Sequence, residues 1–481
     1  MKHITICLVL ILSAIGCKNL GVKDSNFAYI GGEIINPKNN VVTLYNSEGE
    51  LEDTLQLDSN NRFIHKIENL NPGLYSFRHG GEYQMVLLEP QDSLMFRLNT
   101  YGFDESLVFT GHGARKNNYL LKTFLENEHE NKKLVKYSKM EPEQFLEFVE
   151  NRRIKQLEKL EVFTQKKDIS PLAKSIITAS INYNNHADKE IYPFAYFGYN
   201  KLIHVKDLPE NFYAHRAEID YNASQLRDFY AYNRYLFSHF DNLALTPYYD
   251  EKEFHSAFDR HDITYNMAKL DLIDSLIHDE YIKNNLLKYK TRNFISNEHS
   301  DAETQTMLAY YMEKTTSEKD KEYMSDLAVA LDNLKPGKEI PLLRIVNLQN
   351  EETTITDVVK KPTLIYFWST NHIKHYRNSH YIVKQLKQKF PNVDFISINI
   401  NSHVDEYWKS IIHKYQYSNE NEYKFKNPTE ALKTLAVNYV NKVIVVDQNA
   451  YILHPNVNIF EGDFDETLKS LMRKKELITS L

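Results

Sequence analysis

Apolar and polar residues follow three different patterns along the chain, and each pattern predicts a different kind of structure. From about residue 27 to 113, short apolar–polar alternations are separated by turn-forming clusters, which is typical of β-strands. From 114 to 334, apolar residues recur three and four positions apart, as in amphipathic helices. From 336 to 477, short apolar runs alternate with helical stretches. We therefore predict a multidomain α+β protein with an N-terminal β-sandwich, an α-helical middle region and a C-terminal α/β domain.

The stretch 27–113 contains seven strand-like runs, and seven short strands at this spacing favour a sandwich. Turn-forming clusters such as Pro37-Lys38-Asn39-Asn40 separate the runs. We interpret the Gly111-x-Gly113 pair as a turn out of the last strand and not as a phosphate-binding loop. The predicted strands are Tyr29–Ile34, Val41–Tyr45, Arg62–Ile67, Gly73–Phe77, Gln84–Leu88, Ser93–Leu98 and Ser106–Phe109.

The middle stretch shows helical spacing, for example in Leu172-Ile176-Ile177-Ile181. Ser300 and Glu303 have the spacing of a capping box. We predict one long amphipathic helix over Tyr221–Phe240, with a Tyr and Phe stripe that packs in the core and does not bind a cofactor. The basic run Arg152-Arg153-Ile154-Lys155 is interleaved with Glu, which predicts a solvated helix face.

The last stretch alternates strands and helices, which predicts a central sheet with helices on both faces. The run Leu364–Trp368 is short, continuous and apolar, as expected for a buried strand. The predicted elements are Thr363–Trp368, Tyr376–Phe390, Val393–Ile400, Val404–Lys414, Thr429–Ala436, Lys442–Val446, Tyr451–Leu453 and Asp465–Arg473.

The segment Phe367-Trp368-Ser369-Thr370 resembles the active-site segment of TlpA-like thioredoxins, a redoxin family, in which a strand leads into Cys-x-x-Cys at a helix N-terminus. In this chain the two cysteine positions hold His372 and His375. A second family landmark, a cis-proline before a Val-rich strand, falls at about Asn441. The resemblance implies that residues 336–477 form a thioredoxin-like domain with a degenerate Cys-x-x-Cys.

Replacing both cysteines by histidine removes the chemistry of that family. The active thiolate is stabilised at a helix N-terminus, and an imidazole cannot form a mixed disulfide. The two cysteines of the chain, Cys7 and Cys17, both lie in the first seventeen residues. We therefore predict a redox-inactive domain with no cofactor, acting as a binding or structural module for an unknown protein or peptide. The alternative function is a thiol-disulfide oxidoreductase, as in the parent family.

A further alternative is a metal site built from histidines. Imidazoles three residues apart on one helix face, as at His372 and His375, can share a metal such as zinc. His380 lies five residues beyond His375 and so on a different face, which weakens a site of three ligands. No Cys or carboxylate nearby in sequence completes a tetrahedron.

The N-terminus has the pattern of a secretory signal. Lys2 precedes an apolar run, Ile4–Leu12, and Ser13-Ala14-Ile15-Gly16-Cys17 resembles the bacterial lipobox. The resemblance implies a signal peptide over 1–16, acylation of Cys17, and a tether over 17–26. The protein would then be lipid-anchored to a membrane of the cell envelope, on its periplasmic side. An ordinary signal peptide with an incidental cysteine is the alternative.

Motifs in the predicted sandwich agree with this location. Gly31-x-Glu33-Ile34 and Leu88-Glu89-Pro90-x-Asp92-Ser93 resemble the β domain that precedes TlpA-like domains in Bacteroidetes lipoproteins.

Composition narrows the range of partners. The 481 residues include 58 basic and 65 acidic side chains, for a formal net charge of −7. A mildly acidic chain without a basic stripe is not a dedicated nucleic-acid binder.

Overall fold

The structure is a computed structural model that describes residues 26–166, 169–198, 201–251, 257–297, 299–401 and 405–478. The predicted signal peptide 1–16, the lipidation site Cys17 and most of the tether 17–26 lie outside these residues. The chain divides into two compact units, Met1–Arg260 and His261–Leu481. The predicted helical region 114–334 therefore contributes to both units.

The first unit begins with eight strands in two four-stranded sheets, ordered β4-β1-β7-β8 and β3-β2-β5-β6. β1 pairs with β7 in parallel, and the other pairs are antiparallel. All seven predicted strands are present, with the last displaced towards the C-terminus. The strands are β1 (Phe27–Ile35), β2 (Val41–Tyr45), β3 (Leu51–Gln56), β4 (Arg62–Glu68), β5 (Gly73–His79), β6 (Glu82–Leu88), β7 (Ser93–Asn99) and β8 (Val108–His112).

The strand that the pattern missed, β3, is an edge strand. Only Leu55 of its six residues is buried, so its sequence lacks the alternation that identifies a half-buried strand. Side chains from both sheets meet in one core, where the ring of Phe77 from β5 stacks on that of Phe96 from β7 with centroids 4.4 Å apart.

Gly111 of the Gly111-x-Gly113 pair is still paired in β8, and Gly113 is the N-cap of the first helix, so the predicted turn out of the strand lies at Gly113. Both glycines have φ of +88°, a region that favours glycine. A β-carbon at Gly111 would lie 2.1 Å from the carbonyl oxygen of Ser93, and one at Gly113 would lie 2.6 Å from Oδ1 of Asp92. Glycine is therefore required at both positions for steric reasons.

The helices of the first unit follow the sandwich. They are α1 (Ala114–Asn131), α2 (Leu134–Tyr137), α3 (Pro142–Lys166), α4 (Pro171–Phe197), α5 (Tyr230–Leu243) and α6 (Leu245–Glu251), with short 3₁₀ turns at Val205–Asp207, Ala214–Glu218 and Ser224–Leu226.

The prediction of one helix over Tyr221–Phe240 is wrong in its first half, because α5 begins only at Tyr230. Upstream, Oδ1 of Asp220 accepts a hydrogen bond from the backbone N–H of Asn222 at 2.9 Å. Such local side-chain bonds compete with helix formation. The expectation of core packing is confirmed, since Tyr232 and Tyr235 are fully buried.

A buried ion cluster joins the sandwich to the helices. Nζ of Lys116 in α1 lies 2.5 Å from Oδ2 of Asp92 and 2.7 Å from Oε2 of Glu89. Oγ of Ser170 donates to the same Glu89 oxygen at 2.8 Å and accepts from the N–H of Ala173, which caps α4. The motif around Glu89 and Asp92 thus fixes the starts of two helices.

The second unit contains four helices followed by a seven-stranded sheet with further helices. The predicted capping box at Ser300 and Glu303 is present. The elements are α7 (Ile263–Leu276), α8 (Glu280–Ile295), α9 (Asp301–Lys314), α10 (Glu318–Asn333), β9 (Arg344–Asn347), β10 (Glu352–Thr354), α11 (Ile355–Val358), β11 (Thr363–Trp368), α12 (Ile373–Lys389), β12 (Asp394–Asn399), α13 (Asp405–Lys414), β13 (Glu422–Phe425), α14 (Pro428–Thr434), β14 (Val443–Val446), β15 (Ile452–Val457) and α15 (Phe464–Ile478).

The sheet has the order β10-β9-β13-β12-β11-β14-β15, with β11 parallel to β12 and antiparallel to β14. On one face, Leu364, Tyr366 and Trp368 share a core with side chains of α12, α13 and α15. Three strands, β9, β10 and β13, were not predicted, because each has only three or four residues and no clear alternation. Among the helices of the described residues, none is long and apolar enough to cross a membrane.

We expect the Lys116 cluster to contribute strongly to stability. Lys116→Met would leave two carboxylates without their buried partner, so it should lower the free energy of unfolding by about 3 kcal/mol. Urea denaturation of the full chain measures the change. Lys174→Met is the matched control, because Lys174 pairs with Glu161 at the surface and surface pairs contribute little. Equal midpoints for the two variants would contradict the prediction.

Candidate functional site

The candidate site lies where β11 ends and α12 begins. All six residues of β11 are buried, and a short turn with Ser369 and Thr370 follows. The carbonyl oxygen of Ser369 accepts a hydrogen bond from the N–H of His372 at 3.1 Å. Oδ1 of Asn401 accepts one from the N–H of Thr370 at 2.8 Å. The turn is therefore fixed on both sides, and α12 starts three residues before the predicted Tyr376.

His372 and His375 stand at the start of this helix. His372 is the exposed N-cap residue, and its side chain makes no capping hydrogen bond. His375 is half-buried, and its ring lies edge-on to that of Phe460 with centroids 5.4 Å apart. Both ring nitrogens of His375 are buried, and neither has a hydrogen-bond partner among the residues that the structure describes. Packing, and not hydrogen bonding, holds this imidazole.

Partial burial lowers the pKa of both imidazoles, more strongly for His375 than for the exposed His372. It lowers the pKa of His375 to about 4, with smaller contributions from the neighbouring His372 and His380. Burial also lowers the pKa of His372. A neutral imidazole retains one lone pair that can accept a hydrogen bond or bind a metal.

His380 is more buried than His372 and His375, and it contacts different residues. Its Nδ1 donates to the carbonyl oxygen of Tyr376 at 2.7 Å, and its Nε2 lies 3.3 Å from Oε1 of Glu422. The ring stacks on Tyr417 with centroids 4.0 Å apart. His380 and Glu422 each have 5% of the side chain exposed, so this is a buried pair beneath α12.

These contacts bear on the proposed metal site. Within the described ranges, no group of three or more His, Cys, Asp or Glu side chains could hold a metal ion. The nitrogens of His380 are directed to Tyr376 and Glu422, which removes it from a set with the other two histidines. A site of two ligands at His372 and His375 stays a prediction, and it would leave two positions of a tetrahedron to other ligands.

Asn441 is exposed, two residues before β14. No peptide bond in the described part of the chain is cis. The next residue, Lys442, is buried, and its Nζ donates to the carbonyl oxygen of Ala436 at 3.3 Å. Burial lowers the pKa of Lys442 to about 8. Sequence reasoning missed Glu422 and Phe460 because their contacts with His380 and His375 are distant in sequence. It also missed the burial of Lys442, because a lysine at the start of a strand is usually exposed.

The first unit contains a second buried polar cluster, centred on Glu190 of α4. Its Oε1 lies 3.0 Å from Nε2 of His215 and 2.9 Å from Nδ1 of His239, and it accepts a hydrogen bond from Nε of Arg216 at 2.9 Å. Burial opposes ionisation of Glu190, but the hydrogen bonds from Arg216, His215 and His239 outweigh it and lower the pKa. The only signal in the sequence was a polar run, 184–190, broken only by Ala187 and lying within the region predicted as helical.

The basic run in α3 is only partly a solvated face, which corrects the sequence-based interpretation. Nη2 of Arg152 lies 2.5 Å from Oδ2 of Asp188, whose side chain is 4% exposed. Nε of Arg153 lies 2.9 Å from Oε2 of Glu150. Lys155 is exposed, as predicted.

We expect His375 to make stability depend on pH. Its pKa of about 4 in the folded state lies below the unfolded value of about 6.5, so its contribution is complete above pH 6.5 and is lost as the pH falls towards 4. The melting temperature should therefore drop less between about pH 7.5 and about pH 5 in His375→Leu than in the unsubstituted chain. The control is His413→Leu, at an exposed position of α13. An equal drop in all three proteins would contradict the prediction.

Comparison with known proteins gives a likeness over part of the chain. No family model matches the chain, and no curated protein matches it. Among solved structures, the thioredoxin domain of a thiol-disulfide oxidoreductase from Bacteroides vulgatus is 17% identical with a TM-score of 0.24, covering 29% of this chain and 99% of that one.

Two other solved structures are similar over a comparable share. A domain of a possible thiol-disulfide isomerase from Cytophaga hutchinsonii is 21% identical with a TM-score of 0.27, covering 30% of this chain and 97% of that one. A SCO1/SenC family lipoprotein from Bacillus anthracis is 15% identical with a TM-score of 0.25, covering 29% of this chain and 96% of that one.

Proposed function

We propose that the protein is a lipid-anchored envelope protein whose thioredoxin-like domain lacks redox cysteines and acts as a non-catalytic binding module. One observation carries the proposal. The two positions at the start of α12 that would hold the dithiol are His372 and His375, and the cysteines of the chain are confined to Cys7 and Cys17.

The chemistry of thiol exchange explains why this observation decides between the functions. Exchange requires a thiolate that attacks a disulfide sulfur and forms a mixed disulfide. The start of α12 offers unpaired backbone N–H groups that would stabilise such a thiolate. An imidazole at the same position cannot form the covalent intermediate. The scaffold for the reaction is therefore retained without the reacting group.

The surface at this position supports a binding role. His372 is exposed, and Phe460 beside His375 is 36% exposed, so a polar ring and an apolar ring are both offered to a partner. Buried aromatic anchors often dominate protein and peptide interfaces. We propose a protein or peptide as the partner, and its identity is open. A nucleic acid does not suit a chain of net charge −7.

We expect the protein without its first seventeen residues to show no reduction of insulin disulfides above background. The informative control is His372→Cys/His375→Cys, which places a dithiol at the N-terminus of α12, where thiol pKa values are lowered. This variant should gain activity. Turnover of insulin by the unsubstituted protein would contradict the proposal and support the oxidoreductase alternative.

The membrane anchor is a separate part of the proposal, and it rests on the lipobox-like sequence that ends at Cys17. Acylation of this residue would make it the mature N-terminus, and two or more acyl chains would hold the protein at a membrane. We propose the periplasmic side of an envelope membrane as its location.

Cys17→Ser should abolish incorporation of labelled palmitate and move the protein from the membrane fraction to the supernatant, because the acylated thiol is lost. Cys7→Ser is the matched control, since it removes the other cysteine and leaves the lipobox intact. Retention of Cys17→Ser in the membrane fraction would favour a different mode of attachment.

A further inference from the structure

An open trough runs between two helices of the first unit. α1 and α3 both pack on α4. An aromatic pair from α1 and α3 closes one end of the space between these two helices, and a ring of α2 pairs with a ring of α3 at the other end. The rings of Tyr119 and Phe163 are 4.4 Å apart at one end, and those of Tyr137 and Phe148 are 4.6 Å apart at the other. A cavity of about 520 Å³ lies towards Phe148, and one of about 150 Å³ lies towards Tyr119. The first is within the range of about 300–1,000 Å³ that is usual for ligand sites.

The two cavities share lining residues, so they form one elongated depression. Glu126 of α1 and Gln156 and Lys159 of α3 line both. From Phe148 to Phe163 the α3 wall spans fifteen residues, or about 22 Å at 1.5 Å per residue. A site of this length suits an extended chain better than a compact ion.

The glutamates that line the trough form ion pairs with neighbouring lysines, whereas the lysines of α3 do not. On α1, Glu126 pairs with Lys122 at 3.7 Å, and Glu130 pairs with Lys133 at 2.8 Å. On α3, Lys155 and Lys159 line the trough, and neither forms an ion pair with any of the described residues. The uncompensated charge of the trough is therefore positive.

Arg152 adds a fixed cation to the same wall. Its Nε donates to Oδ1 of Asn185 at 2.8 Å, and its Nη2 pairs with Asp188. The other oxygen of Asp188 pairs with Nη2 of Arg234 at 2.6 Å, so one carboxylate serves two guanidinium groups and one positive charge remains. The Arg152 side chain is 16% exposed and lines the trough, where it can act as a prepositioned donor.

We propose that this trough binds an extended acidic peptide segment with carboxylates at alternate positions. Lys155 and Lys159 are four residues apart on α3, which separates them by about 6 Å along the helix axis. Alternate side chains of an extended peptide are about 6.6 Å apart, so two carboxylates on one side of it match the two ammonium groups. Phe148 and Tyr137 offer an apolar wall beyond the charges. The site lies in the first compact unit, whereas α12 belongs to the second, so binding at the trough is independent of the function proposed for α12.

The test measures fluorescence anisotropy of two labelled peptides with the full chain. The acidic probe is acetyl-Glu-Ser-Glu-Ser-Glu-amide, and the neutral probe replaces each Glu by Gln. The acidic probe should bind, and its affinity should fall as ionic strength rises from about 0.05 M to about 0.5 M, because exposed charges are screened. The neutral probe should not bind.

Lys155→Gln/Lys159→Gln should weaken binding of the acidic probe by about fivefold or more, as expected for the loss of two exposed ion pairs. Lys384→Gln/Lys387→Gln, two exposed lysines on α12, makes the same change in net charge and should leave the affinity unchanged. Both lysine pairs are exposed, so both variants should keep the melting temperature of the unsubstituted chain.

Three outcomes would overturn the proposal. The first is equal binding of the acidic and neutral probes. The second is equal weakening by the two double substitutions, which would indicate attraction to net charge alone. The third is complete competition by inorganic phosphate at the concentration of the peptide, which would indicate a simple anion site. Loss of binding in Lys155→Gln/Lys159→Gln alone supports the trough.

Discussion

The burial of β11 on both faces is the constraint on which the second unit depends. All six of its side chains are buried, it pairs with β12 on one side and β14 on the other, and its alternate residues pack against three helices. A slip of one residue would exchange the side chains of two packed faces, which differ in size and shape, so the register of the strand is strongly specified by packing. The end of the strand is thereby fixed, and with it the turn and the first residue of α12. His372 and His375 consequently occupy a well-defined position, although neither residue can perform the chemistry implied by the resemblance.

Both units place ionisable groups in their interiors, and three of these groups pair with residues that are distant in sequence. Lys116 meets Asp92, Glu190 meets Arg216, and His380 meets Glu422. A buried pair of this kind adds little net stability compared with apolar residues of the same size, but removing one partner is costly. In the second unit, the His380–Glu422 pair ties the helix that carries the candidate site to β13.

The sequence allowed prediction of features that depend on local pattern. The strands of the sandwich with alternating residues, the buried run of β11 and the capping box at Ser300 were found because each is determined by neighbouring residues. β3 and β13 were missed because only one residue of β3 and two residues of β13 are buried, which leaves no alternation of apolar and polar residues in their sequences. The ion pairs of Arg152 and Glu190 could not be predicted. Their partners lie 36 and 26 residues away, and no pattern in the neighbouring sequence indicates such a pair. At the candidate site, His372 and His375 were identifiable from the motif, whereas Glu422 and Phe460 enter only through the tertiary structure.

The carboxylate of Asp92 contacts several residues, so a substitution at any one of these positions affects the others. One oxygen accepts the backbone N–H of Glu89 and lies against the ammonium of Lys116, and the other faces the ring of His112. The same group occupies the space that any side chain at position 113 would need. A substitution at Asp92, Gly113 or Lys116 should therefore require compensating substitutions at the other two positions. Distant relatives should thus retain or lose the aspartate, the glycine and the lysine together.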